Sequence, residues 1–147
     1  MTQIPNSDVV KEIIQKLISI SSRKTTQGSA LSNMNSLLKQ LETKYSFLKN
    51  IQIKDIQYSE DPNPVSVMGE INTIQSIEIG RAIQALIRLT NKSLGKNAGY
   101  FFIKEIQKSL NDEYTFTMQS MGVDLGLMQL ENEVERFEKQ LTTKKKD

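Results

Sequence analysis

The stretch Ser93-Leu94-Gly95-Lys96-Asn97-Ala98-Gly99 comes nearest to chemistry, because glycines beside a lysine can bring backbone amides and a cation to a phosphate. Its spacing departs from Gly-x-x-x-x-Gly-Lys-Ser/Thr, and helical rather than strand patterning precedes it. A tight joint between helices explains it better. Gly95, Lys96 and Asn97 are kept as an anion-site candidate, with Lys96 beside the free amides that open the next helix. Glu131, Glu135 and Glu138 share part of one helical surface and raise a metal reading. Carboxylate sites in helical bundles draw glutamates from several helices and use Glu-x-x-His pairs. A solvated acidic face is therefore the expectation, and no metal or cofactor is assigned.

Tyr100, Phe101, Phe102, Tyr114, Phe116, Met118 and Met121 make the C-terminal half rich in aromatics and methionine, the lining of small-ligand pockets. Helical spacing already sends most of them to a core. Arg81 and Arg88 lie one heptad apart, suited to an acidic partner, with Glu78 three residues before Arg81. Arg23-Lys24 and the tail Lys144-Lys145-Lys146 could touch phosphate, but both sit where connections and tails normally carry charge. The chain has no cysteine and no histidine. Thiolate nucleophiles, zinc–thiolate centres and imidazole bases are thus excluded. No remaining pair of groups has the spacing of a nucleophile and its base, so no catalytic residue is assigned and a non-enzyme is expected.

The sharpest signal is a surface rather than a site. Leu127, Leu130, Val134, Phe137 and Leu141 alternate in steps of three and four, a heptad seam. Glu131 and Glu138 flank it at e-type positions, Glu133 and Gln140 at g-type positions. A helix this short is marginal alone in water, so the seam must meet another surface. A second series, Leu31, Met34, Leu38, Leu41, Tyr45 and Leu48, offers an intramolecular partner seam with Lys39, Lys44 and Lys49 around it. Self-association of the last helix competes evenly with that pairing. The glutamate flanks oppose a parallel self-pair and favour an antiparallel or lysine-rich partner.

These residues need elements to hold them. Asn6 or Ser7 caps a first helix whose stripe runs Val9, Val10, Ile13, Ile14, Leu17, Ile18. A polar connection from Ser21 follows, with Gly28 as its turn residue. A second helix is predicted from about Ser29 to Lys49, so that 7–49 is a helical hairpin. Ile51, Ile53 and Tyr58, then Val65, Val67 and Ile71, predict two strands about Asp61-Pro62-Asn63-Pro64, a β-hairpin over 50–72. Helical spacing returns over about Ile74–Leu94, and Gly95 closes it in the left-handed region. Further helices are capped by Asn97, Asn111 and Asp124, the last running to about Thr142, before a solvated tail at 143–147.

The fold expected is α+β, predominantly helical, about six helices with a two-stranded β-hairpin between the second and third. At 147 residues it is read as a single domain, with no repeat and no linker. A net charge of +2, from 19 basic and 17 acidic residues, makes nucleic acid a poor but open partner. The start carries neither a basic nor an apolar leader region, and no apolar run approaches a membrane span, so a cytoplasmic address is expected. The functional expectation is a non-enzymatic regulatory or adaptor module acting through helix–helix contacts with a protein partner or as a homodimer. Two alternatives compete: a small-ligand sensor with an aromatic and methionine-lined pocket, and a nucleic-acid-binding regulator.

Overall fold

The computed structural model describes residues 4–54, 64–95 and 101–145. Six helices occur among them: α1 (Asn6–Lys24), α2 (Gln27–Glu42), α3 (Ser76–Ser93), α4 (Phe102–Ser109), α5 (Asp112–Ser120) and α6 (Leu125–Lys145). Two strands, β1 (Ile51–Ile53) and β2 (Val65–Val67), lie between α2 and α3. They pair antiparallel with Ile51 opposite Val67 and Ile53 opposite Val65. The architecture is therefore α+β and mostly helical, as the alternation of 3.6- and 2-residue periods predicts.

α1 is the hub. Val9, Val10, Ile13, Ile14, Leu17, Ile18 and Ile20 are all buried, a stripe wide enough to serve several neighbours. The helix packs against α2, α3, α4 and β2. Neither Asn6 nor Ser7 caps it with its own side chain, because Pro5 holds the cap position. The missing acceptor comes from far along the chain. Ser7 N donates to Asn72 Oδ1 at 2.8 Å, Asn72 Nδ2 donates to Ser7 Oγ at 3.1 Å, and Asn6 Nδ2 donates to the Ile74 carbonyl at 3.0 Å.

Several boundaries differ from the sequence expectation. α1 continues to Lys24, and α2 opens at once with Thr26 Oγ1 accepting from Ser29 N. Gly28 thus lies in the first turn of α2 rather than in a loop. α2 stops at Glu42, short of Lys49, and a 3-10 turn (Ser46–Asn50) carries the chain into β1. Leu48 is buried from that turn, so an apolar period that reads as one helix is shared between two elements. Ile71, expected in a strand, is fully buried from a second 3-10 turn (Gly69–Thr73). Tyr58 and the proline turn through Asn63 lie outside the described residues. Gly95 does adopt the left-handed conformation, at φ 83°.

α5 and α6 follow their caps, whereas α4 opens at Phe101 without a side-chain cap. Asn111 Oδ1 accepts from Tyr114 N at the start of α5, and Asp124 Oδ1 accepts from Leu127 N at the start of α6. Between them Gly122, at φ 92°, turns the chain where a side chain would be strained. α3 crosses this joint at Gly80. A Cβ there would fall 2.0 Å from the Met121 carbonyl oxygen, so the helix can approach only because the side chain is absent.

Candidate interaction surface

Among the described residues, the buried side chains of α6 lie in its first turns. Leu125, Met128 and Gln129 are buried, and from Leu130 to Glu138 no described side chain is. The attachment is made chiefly to α4. Gln129 is its polar element: Oε1 accepts from Lys104 N at 3.3 Å, filling one of the free amide positions of the α4 first turn. Its Nε2 donates to Glu133 Oε1 at 3.3 Å. On the flank, Arg88 of α3 reaches Glu131 at 3.3 Å, an exposed ion pair worth about 0–1 kcal/mol.

At 100° per residue, the anchoring positions 125, 128 and 129 cluster on one side of the helix. The heptad seam lies on the opposite side. Leu127 is 53% exposed, Leu130 54%, Val134 49%, Phe137 60% and Leu141 44%. α6 therefore leaves the body with a continuous apolar stripe facing away from it. Its 21 residues span about 31 Å.

The proposed partner seam lies elsewhere. Met34, Leu38 and Leu48 are buried, and Leu31, Leu41 and Tyr45 pack on the same core. α2 presents this face to α1, α3 and the 3-10 turn at Ser46–Asn50. Among the described residues the two seams form no substantial packing, so of the two pairings weighed evenly the intramolecular one is not seen here. The packing of α2 on α1 and α3 buries Met34 and Leu38 and partly buries Leu31 and Leu41, so the α2 stripe is largely occupied within the core. No pattern in the seam itself distinguishes the two outcomes.

The other candidates scatter. Of the anion-site residues Gly95 is described and exposed, while Lys96 and Asn97 lie outside the described residues. The aromatic and methionine set divides between core and surface. Phe102, Met118 and Met121 are buried, Phe101 lies near Lys104 at the surface, and Phe116 is 70% exposed. Tyr114 is half-buried, and its hydroxyl titrates above the ordinary 10.0 because burial, then Glu12, Asp8 and Glu113, oppose its ionisation. Among the described residues, a small pocket of about 10 Å³ lies between α1, α3 and the Ser46–Asn50 turn. It is lined by Val10, Ile14, Leu48, Ile83 and other apolar residues, too small and dry for a ligand. The basic pair expected in the first connection lies in the last turn of α1 and is drawn to a carboxylate, with Lys24 at 2.6 Å and Arg23 at 3.9 Å from Glu105 of α4.

Gln129 is the anchoring residue of the candidate surface that periodicity passes over. A glutamine off the seam reads as solvated, and its burial follows only from where the α4 amides end. Leu125 and Met128 were a legible hint, being two apolar residues outside the heptad series. Comparison of the chain with protein-family models, curated proteins and solved structures found no match. No helix among the described residues is long and apolar enough to cross a membrane.

Proposed function

We propose that this chain is a non-enzymatic regulatory or adaptor module that holds a protein partner by a helix laid along α6. One observation carries the reading: five large apolar residues stay 44–60% exposed on one stripe, while the opposite side of the same helix is anchored. A contiguous apolar surface of this kind marks an interaction site in a folded protein. The physics points the same way. A helix with few tertiary contacts is marginal in water, and filling the stripe adds the packing that fixes it. The Gln129 cap and the Arg88–Glu131 pair aim the helix before any partner arrives, which lowers the ordering cost of binding.

The test is site-specific photocrosslinking in cells. A photoreactive residue at Phe137 or Leu130 is expected to yield a discrete protein adduct, and one at exposed Asp112 of α5 none. An adduct with a second copy of the chain would make the contact homotypic within the same reading. Absence of any adduct along 127–141, together with a single-chain mass in light scattering, would overturn it.

A further inference from the structure

Building on that reading, we propose that the partner is an amphipathic helix bearing lysine or arginine beside its apolar stripe, rather than a second copy of this chain. The seam runs from Leu127 to Leu141, about 21 Å or four turns, and Lys144 takes the next inner position and ends it. Its flanks carry acid on both sides: Glu133 on one, Glu131 and Glu138 on the other.

Self-pairing sets these charges against each other. In a parallel pair, Glu133 of each copy faces Glu138 of the other. In the antiparallel registers that stack four of the five seam residues, either Glu133 meets Glu133 or Glu131 meets Glu138. Flanking charges decide partner choice in such seams, and like charges reject the pairing. A helix with basic residues at the facing positions turns each repulsion into attraction. Arg88 already stands at Glu131. The strongest selection therefore falls on Glu133, whose described contact is the neutral Gln129 amide. The same acidic flanks oppose adsorption to an anionic lipid surface, which recruits helices with basic flanks.

The experiment uses the full chain and two synthetic helices of about 18 residues with the same leucine stripe, one flanked by lysines and one by glutamates. Fluorescence anisotropy is expected to show the lysine peptide binding about tenfold tighter or more, with the advantage shrinking at roughly 0.5 M salt. The double variant Glu133→Lys, Glu138→Lys should prefer the glutamate peptide, and Val134→Glu with Phe137→Glu should lose both. Equal binding of the two peptides would overturn the charge selection and leave the seam as a helix receptor. A dimer of the unmodified chain that becomes monomeric on Phe137→Glu would overturn the heterotypic partner alone. Binding to anionic vesicles in preference to the lysine peptide would overturn the helical partner. If neither peptide binds and the chain is monomeric, the adaptor reading fails as well.

Discussion

Two phenylalanines thirty-five positions apart should respond to the same substitution in opposite ways. Phe102 is fully buried in the core beneath α4, so Phe102→Ala removes a packed ring and leaves a cavity, at a cost of about 3–5 kcal/mol. Phe137 is 60% exposed, so the folded chain hides only about two-fifths of it. Full burial of such a side chain contributes about 3 kcal/mol at most, which leaves roughly 1 kcal/mol at stake for Phe137. Alanine returns about half of that through its better helix propensity. Phe137→Ala is therefore expected to change stability by less than about 1 kcal/mol. Urea unfolding of both variants at low protein concentration, followed by far-ultraviolet circular dichroism, reads the difference with the slope as a check on compactness. A loss above about 2 kcal/mol for Phe137→Ala would place the ring inside the folded monomer and refute the geometry of the seam. A loss that grows with protein concentration would instead reveal assembly.

Gly80→Ala gains about 1 kcal/mol of helix propensity but drives a Cβ into the Met121 carbonyl. A net destabilisation of about 1–2 kcal/mol is expected, with amide shifts concentrated at Met121 and Gly122, and a stabilised variant would refute the close crossing. Ser21 Oγ is buried and finds no partner among the described residues, so Ser21→Ala should stabilise by up to about 1 kcal/mol in thermal unfolding. Tyr114 has its folded-state pKa raised, so its contribution is present below the unfolded value of 10.0 and is lost as pH rises through the folded one. Stability measured against pH should fall more steeply above about pH 10 in the unmodified chain than in Tyr114→Phe, and parallel curves would refute the burial of that hydroxyl.

The sequence made the helices and their faces legible wherever the signal was local. The α1 stripe, the Asn111 and Asp124 caps and the alternation in β1 and β2 are local signals, and each is present. What escaped was set by distant residues. The α1 cap comes from Asn72 across sixty-five positions, and no rule about Asn6 or Ser7 contains it. The Leu31–Leu48 series kept its period while the backbone changed from α to 3-10, because both geometries can aim Leu48 inward. Heptad spacing revealed the α6 stripe but not its occupant. That depended on whether α1 and α3 had already covered the α2 stripe, which is a question of volume rather than of pattern.

The tie between Asn72 and the opening of α1 also bears on how the chain acquires its structure. α1 and α2 adjoin in sequence and can pair early, since short loops close cheaply. The other flank of α1 waits for β2 and α3, and its first amides wait for Asn72. On a ribosome adding about 5–20 residues per second, that interval lasts roughly 3–13 s. During it a nascent α1 shows the unsatisfied side of its stripe to the cell, and that exposure ends in stages as β2, α3 and then α4 emerge. Hydrogen exchange in stalled nascent chains would see the first turn of α1 stay open until Asn72 has emerged, as a latch of the fold rather than its seed.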